Sequence, residues 1–176
     1  MELLRVVDKL GNDTNEIIER EELHNRGKLH NEVTIYIVND KGEVLLQRRS
    51  KNRRFCPNKL GVIAGHQSYR EDILTCAVRE TKEEVGLKIE ENSTALFDCK
   101  ESIEFEIFPH FRYKYAPNVT HCHEHWFLLA VEQEFEPILS EHLACQWVSP
   151  EHAIQMTKSP NNAEAIKKYL MNGFPL

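Results

Sequence analysis

The spacing of apolar and polar residues predicts a chain of short strands interrupted by one well-defined helix. Two stretches near the N-terminus place strand-like segments on either side of a turn signal rich in Gly, Asn and Asp. These predicted hairpins comprise residues 4–6 and 17–18 around a turn at 11–13, and residues 33–38 and 44–46 around a turn at 39–42. We expect the first hairpin to form an N-terminal extension, residues 1–30, to the fold.

A helical period lies between Asp72 and Gly86. Asp72 is a suitable N-cap because its side chain can accept hydrogen bonds from free backbone N–H groups, and Gly86 is a natural residue just beyond the last turn. The residues that share the packing face are Leu74, Val78, Thr81 and Val85. We therefore expect one helix here, with this face against the core.

Beyond the helix the apolar pattern is again mainly that of strands. Strand-like segments fall at residues 103–108, 111–115, 126–131 and 145–148, and helical segments at 149–156 and 163–171. No repeat, low-complexity tract or inter-domain linker separates them. A length of 176 residues then favours one domain, residues 1–176.

Composition and charge narrow the class of protein. The apolar fraction of 41% and the charged fraction of 28% are typical of globular proteins, and a formal net charge of −6 gives no general attraction for a nucleic acid polymer. No secretory leader or bilayer-length apolar run is visible, so we expect a soluble, cytoplasmic protein with no membrane partner. The five cysteines are scattered, which favours reduced thiols over a zinc or redox motif.

The predicted helix carries three glutamates on one surface. At about 100° per residue, Glu80, Glu83 and Glu84 fall within an arc of roughly 100°, away from the packing face. Like charges at helical spacing cost a few tenths of a kcal/mol per pair, and a divalent cation would turn this repulsion into attraction. Oxygen ligands favour Mg²⁺ or Mn²⁺ over a softer metal. Taken alone, the glutamates could also form a solvated acidic face.

The segment around this helix resembles the Nudix box, whose pattern is G-x5-E-x7-R-E-U-x-E-E-x-G-U. It runs from Gly65 through Glu71 and Arg79 to Leu87, and every fixed position matches. The one departure is Thr81, at a position that the family usually fills with an aliphatic residue. Residues 65–87 are thus similar to the defining motif of the Nudix hydrolases.

The resemblance implies an α/β fold, a Nudix-type α/β/α sandwich with a mixed sheet. It also implies that the metal is held by Glu80, Glu83, Glu84 and the carbonyl of Gly65. Arg79 would orient a carboxylate through a charge-assisted hydrogen bond, the alternative being an exposed ion pair. A metal on the diphosphate would neutralise developing charge and help to generate hydroxide from water.

Outside the box, the chain resembles the Nudix branch that contains isopentenyl-diphosphate isomerase, from the N-terminus to about Met156. The features that carry this resemblance are His24, His30, residues 45–50, the Gly65-His66 pair, residues 111–113 and Glu124. In the isomerase a cysteine precedes the Gly-His pair, whereas Ala64 stands here, which counts against isomerisation. The isomerase also builds a metal site from histidines and glutamates, and whether His24, His30 and His66 form such a second site is left open.

A proton acceptor and substrate-binding residues complete the predicted site. Glu124 is a candidate general base for the attacking water, with Glu83 as the competing choice and a solvated strand residue as the alternative role. Arg48, Arg49 and Arg53 are candidates for binding an anionic substrate, because guanidinium groups match phosphate geometry. Their alternative role is solubility alone.

Three functions remain open at this point. The first is a metal-dependent hydrolase that cleaves the diphosphate linkage of a nucleoside diphosphate derivative or a similar small molecule. The second is an isopentenyl-diphosphate isomerase, and the third is a sensor that binds a diphosphate ligand without cleaving it. The intact box favours hydrolysis of a small-molecule diphosphate, while the substrate and the oligomeric state, a homodimer included, stay open.

Overall fold

Strands make up most of the regular structure. The computed structural model describes residues 1–52, 58–106, 121–132, 135–138, 142–157 and 159–172. The strands are β1 (Leu3–Val7), β2 (Asp13–Glu19), β3 (Asn31–Val38), β4 (Val44–Arg49), β5 (Leu60–Gly61), β6 (Ile63–His66), β7 (Leu96–Glu106), β8 (His121–Ala130) and β9 (His142–Val148). The helices are α1 (Arg20–Arg26), α2 (Ile73–Val85), α3 (Pro150–Met156) and α4 (Pro160–Tyr169). The predicted strand at 111–115 lies outside the described residues.

Seven of the described strands form one mixed sheet. Five follow the order β5-β4-β3-β8-β7, while β6 pairs with β3 and β9 pairs with β4. Strands β3 and β8 run parallel, and the other pairs are antiparallel. The predicted second hairpin is present, but β3 and β4 are in register only at Val38 and Val44. The reason is that β6 occupies the same edge of β3 over residues 32–35.

Two apolar cores lie on opposite faces of this sheet. Alternate residues of β3 separate the two faces, since side chains on a strand point to opposite sides. Helix α2 covers the face that carries Val33, Ile35 and Ile37. Helices α3 and α4 contribute to the core on the other face, with Tyr36 and Trp126. The predicted α/β/α sandwich with a mixed sheet is confirmed.

Helix α2 begins and ends as the sequence predicts. The side chain of Asp72 accepts a hydrogen bond of 2.8 Å from the backbone N of Thr75. Gly86 follows the last turn with φ 76°, a left-handed conformation that favours glycine. Cys76 and Ala77 of this helix are completely buried against the core. None of the described helices is both long enough and apolar enough to cross a bilayer.

The predicted N-terminal hairpin is also confirmed. Strands β1 and β2 pair antiparallel and form a sheet of their own. Leu4, Val6 and Leu23 make a small core beneath it. The hairpin joins the rest of the chain through backbone bridges from Leu4 to Ser68 and from Val7 to Leu29. It therefore lies against the loop that leads into α2.

Candidate active site

Strand β6 and helix α2 meet at Gly65. A Cβ atom built on Gly65 would lie 1.9 Å from Cδ of Glu80, so the Glu80 carboxylate occupies the space that any other side chain would fill. Burial raises the pKa of Glu80, the Arg79 guanidinium opposes this rise, and the charge of Glu83 adds to it. The carboxylate of Glu80 is thus held directly against the backbone of β6.

Arg79 ties the loop before α2 to the carboxylates on α2. Its Nη2 and Nε donate to the two oxygens of Glu71, at 2.6 and 3.0 Å. Its Nη1 donates to Glu80 at 2.6 Å and to Glu83 at 3.0 Å. Nη2 also donates to the backbone carbonyl of His66, at 3.0 Å. The hydrogen bond with Glu71 helps to raise the pKa of Arg79, so the guanidinium is a permanent cation at the centre of this group.

Glu83 and Glu84 leave α2 in different directions. The side chain of Glu83 is 58% exposed and contacts Arg79. Glu84 is only 7% exposed. Burial raises the pKa of the Cys145 thiol on β9 to about 11, and the charge of Glu84 contributes to that rise. Glu83 is therefore open to solvent, whereas Glu84 is buried and close enough to β9 for its charge to act on Cys145.

These groups fit a divalent cation with hard ligands. The predicted ligands on α2, Glu80, Glu83 and Glu84, offer carboxylate oxygens, which Mg²⁺ and Mn²⁺ prefer. The absence of a side chain on Gly65 lets a carboxylate reach the strand backbone. Glu80 and Glu83 lie close enough for the charge of one to raise the pKa of the other, a repulsion that a cation would relieve.

The predicted substrate arginines divide between the two faces of the sheet. Arg48 lies on the same face of β4 as Val44 and Leu46, which pack in the core with α3 and α4, and its Nη1 donates to the carbonyl of Asn58 at 3.3 Å. Arg49 lies on the α2 face, and its buried Nε has no hydrogen-bond partner within the described part of the chain. Arg53 lies outside the described residues. Gln47 shares the face of Arg49 and is 1% exposed, and neither polar atom of its amide has a hydrogen-bond partner among the described residues.

Three histidines come together on the face opposite α2. His24 of α1, His30 and His66 place their ligand atoms within 4.8 Å of one another. Glu32 adds a carboxylate whose Oε1 lies 3.1 Å from Nε2 of His66 and 3.4 Å from Nε2 of His30. Burial and the neighbouring histidine charges lower the pKa of His24 to about 3, and burial also lowers that of His30. Neutral imidazoles of this kind are able to bind a metal ion.

Glu124 belongs to this second group. It lies in register with Glu32 on the parallel strand β8, and it is buried. Its oxygens accept hydrogen bonds from Nε1 of Trp126 at 2.7 Å and from Nδ2 of Asn161 at 3.4 Å. Burial raises the pKa of Glu124 to about 7, the Trp126 bond opposes the rise, and the charge of Glu32 adds to it. The structure does not bring Glu124 together with the α2 carboxylates, and its role as general base stays a prediction.

Three buried or hydrogen-bonded polar residues near these groups were not predicted from the sequence, namely Glu32, Gln47 and Asn161. Asn161 is 37 residues from Glu124, and no local motif connects the two. Glu32 and Gln47 are polar residues within strands, where the sequence does not distinguish an exposed side chain from a buried one. For Gln47, the surrounding run of apolar residues was the only available signal.

Comparison with known proteins agrees with this geometry. The NUDIX domain family model matches residues 28–170. The chain is 59% identical over 140 residues to a dihydroneopterin triphosphate diphosphatase of Haemophilus influenzae, covering 80% of this chain and 85% of that protein. The solved structure of the Escherichia coli dihydroneopterin triphosphate pyrophosphohydrolase is similar with a TM-score of 0.72 at 35% identity, covering 81% of this chain and 96% of that one.

The predicted isomerase branch is not supported. An isopentenyl-diphosphate isomerase from Jannaschia is 35% identical over 78 residues, which cover only 44% of either chain. The two diphosphatases match far more of the chain. The features on which the branch was based, chiefly His24, His30 and the Gly65-His66 pair, therefore do not distinguish an isomerase from a diphosphatase in this chain.

Proposed function

Since this chain belongs to the Nudix family and is a hydrolase that cleaves a diphosphate linkage in a small molecule, we propose that its substrate is dihydroneopterin triphosphate and its metal is Mg²⁺. The substrate is supported by the two relatives described above, which are a dihydroneopterin triphosphate diphosphatase and a dihydroneopterin triphosphate pyrophosphohydrolase. The structural observation that carries the proposal is the Glu80 carboxylate seated against Gly65 and tied to Glu83 by Arg79. Hydrolysis by one water would release pyrophosphate and a pterin monophosphate.

The residues of α2 have distinct roles in this proposal. Glu80, Glu83 and Glu84 would hold the metal, together with the carbonyl of Gly65. When bound, the metal supplies positive charge to the diphosphate oxygens and lowers the pKa of a water. Arg79 keeps the carboxylates in place, because its five donors are already distributed among Glu71, Glu80, Glu83 and a backbone carbonyl.

Glu83 is the proton acceptor that geometry favours. It is exposed to solvent, lies on the same helix as the other metal carboxylates and is fixed by Arg79. A general base must come within hydrogen-bond reach of the attacking water, and Glu124 lies on the opposite face of the sheet. Glu124 stays an alternative acceptor, supported by a pKa of about 7.

Of the predicted substrate arginines that the structure describes, Arg49 is better positioned than Arg48 to bind the substrate phosphates. It lies on the face that α2 covers, and its buried Nε has no hydrogen-bond partner among the residues that the structure describes. A phosphate oxygen would accept that bond with charge assistance. Arg48 and Arg53 keep their predicted roles in substrate binding as part of the proposal.

The histidine group supports a second cation site. His24, His30 and His66 converge with the carboxylate of Glu32, and imidazole nitrogens suit zinc or another transition metal better than magnesium. This site would lie across the sheet from the α2 carboxylates. Because its ligands are mainly imidazole nitrogens, it would select a different metal from the carboxylate site.

The test of the proposed function is a substrate panel with Mg²⁺. We expect dihydroneopterin triphosphate to be cleaved to pyrophosphate, with kcat/KM above that for nucleoside triphosphates. Glu83→Gln should lower kcat by about 10² or more. Glu90→Gln, an exposed glutamate just beyond α2, serves as the matched control and should leave kcat unchanged. No pyrophosphate from any member of the panel would contradict the proposal.

A further inference from the structure

The N-terminal hairpin makes direct contact with the loop that precedes α2. We refer to residues 67–72 as the box loop. The backbone N of Tyr69 donates to the carbonyl of Leu3 at 3.2 Å, and Leu4 forms a bridge with Ser68. Nε of Arg5 donates to the carbonyl of Tyr69 at 2.8 Å. The hairpin itself precedes residue 28, where the family match begins.

Hydrogen bonds continue from the box loop to the carboxylates of α2. The backbone N of Ser68 donates to Glu71 Oε1 at 2.9 Å, and Nε2 of Gln67 donates to the carbonyl of Glu71 at 2.9 Å. Glu71 in turn accepts two bonds from Arg79, which also donates to Glu80 and Glu83. These hydrogen bonds, together with the backbone between Ser68 and Tyr69, thus link Arg5 to the predicted metal ligands.

The N-terminal hairpin is itself fixed by burial and by hydrogen bonds. Leu4 is completely buried. The guanidinium of Arg5 is fixed at its other end, because Nη1 donates to Asp13 of β2 at 2.6 Å. The backbone N of Val7 donates to the carbonyl of Leu29, at 2.9 Å, just before β3. The box loop is therefore held between the hairpin and the main sheet.

We propose that the N-terminal hairpin is a clamp on the box loop, and that Arg5 is a positioning residue for the Arg79-Glu80-Glu83 group. The proposal rests on the proposed metal-dependent function. The carbonyl of Tyr69 would lose its charged donor without Arg5, and the loop would sample more conformations. Glu71, and with it Arg79, would then hold the metal carboxylates less firmly.

The test compares two arginines of the same extension in the full-length protein. Arg5→Met keeps the aliphatic stem and removes the bonds to Tyr69 and Asp13, whereas Arg26→Met removes ion pairs with Glu16 and Glu22 that lie away from the box loop. Arg5→Lys retains a donor. We expect Arg5→Met to raise the Kd for Mn²⁺, measured by electron paramagnetic resonance, about 3- to 10-fold.

Hydrogen exchange provides a readout that does not depend on the metal. In Arg5→Met the peptide spanning the box loop should exchange faster, chiefly at the Tyr69 amide that bonds to Leu3. Arg26→Met should match the wild type in both measurements, and Arg5→Lys should recover at least part of the Mn²⁺ affinity. These results would support the clamp.

The outcomes separate the clamp from the proposed function. If the wild type binds Mn²⁺ and Glu80→Gln weakens that binding, the metal site stands. An Arg5→Met protein that then binds Mn²⁺ as tightly as the wild type would overturn the clamp alone. If the wild type binds no Mn²⁺, or Glu80→Gln binds it equally well, the proposed metal site fails, and the clamp fails with it.

Discussion

Gly65 is important because of the side chain that it lacks. Its position is filled by the carboxylate of Glu80, and a methyl group there would overlap that carboxylate at 1.9 Å. Displacing Glu80 would also disturb its 2.6 Å hydrogen bond with Arg79. A single added carbon at this position should therefore act on the proposed metal site and leave the apolar cores unchanged.

Gly65→Ala should weaken Mn²⁺ binding about tenfold or more and reduce kcat with it, because metal ligands tolerate little displacement. The matched control is Gly61→Ala on β5, where the added Cβ would meet its nearest neighbour, Nδ2 of Asn162, at 3.9 Å. Titration calorimetry with Mn²⁺ and steady-state kinetics on both variants check this expectation. Equal Mn²⁺ affinity in the two variants would contradict it.

Glu124→Gln tests a buried carboxyl whose pKa is raised from 4.5 to about 7. A raised pKa means that the folded protein holds this proton more tightly than the unfolded chain. The stabilisation is complete below the unfolded pKa and is lost as the pH rises through 7. The amide stays neutral, so relative to wild type the variant should gain about 3 kcal/mol of unfolding free energy between pH 4 and pH 8.

Urea unfolding at several pH values measures this gain, and a gain that does not change with pH would contradict the buried ionisation.

The same variant tests which glutamate is the proton acceptor. If Glu124 is the base, kcat of the wild type should fall below pH 7, and Glu124→Gln should lose about 10²-fold or more. A variant that keeps most of its kcat leaves Glu83 as the acceptor.

At the scale of residues, spacing predicts what one helix or one motif places together. The box fixed the identities of Glu71, Arg79 and Glu80, and the structure joins these three by hydrogen bonds. The pairing of Glu124 with Asn161 depends on how β8 and α4 pack, which local sequence does not encode. The arrangement of buried polar groups was accessible only from the fold.

Among the secondary structure elements, α2 is the best specified, because both of its ends carry strong signals. Asp72 caps the first turn through its bond with Thr75, and Gly86 ends the last turn with a left-handed backbone. Glu83 and Glu84 lie in that last turn, so the residue that stops the helix also helps to set where they point. We therefore expect the C-terminal end of α2 to affect both stability and the proposed metal site.

Gly86→Ala should lower the unfolding free energy by more than Gly42→Ala does. Both glycines have φ 76°, but a Cβ on Gly86 would lie 2.5 Å from Cδ1 of Ile138, whereas one on Gly42 would meet nothing within 4 Å. We expect about 1 kcal/mol for the backbone strain alone in Gly42→Ala. Urea unfolding of both variants measures the difference. Equal losses would show that Ile138 moves aside without cost.

In the main sheet, the sequence predicts individual strands but not which strands pair with each other. Turn chemistry correctly predicted a hairpin between β3 and β4, yet only Val38 and Val44 pair there because β6 takes the remaining edge of β3. The short apolar run that forms β6 carries no signal for its partner. Pairing between strands far apart in sequence, such as β3 with β8, is likewise set by competition for edges, which periodicity does not describe.

On the scale of the whole molecule, the site spans both faces of the sheet. Gly65 and His66 are neighbours in the chain, but Gly65 meets Glu80 on the α2 face, and His66 joins His24 and His30 on the other. The carbonyl of His66 is bonded to Arg79, so the two groups share one backbone segment. The sequence left open whether the three histidines form a second group, and the tertiary structure brings them together on the face opposite the α2 carboxylates.

The most direct test of the account is an anomalous difference map from a crystal soaked with Mn²⁺ and a non-hydrolysable substrate analogue. We predict a peak among the carboxylates of Glu80, Glu83 and Glu84, next to the carbonyl of Gly65. A further peak among His24, His30 and His66 would be compatible with this account. A map with density at the histidines alone, and none beside Glu80, would contradict it.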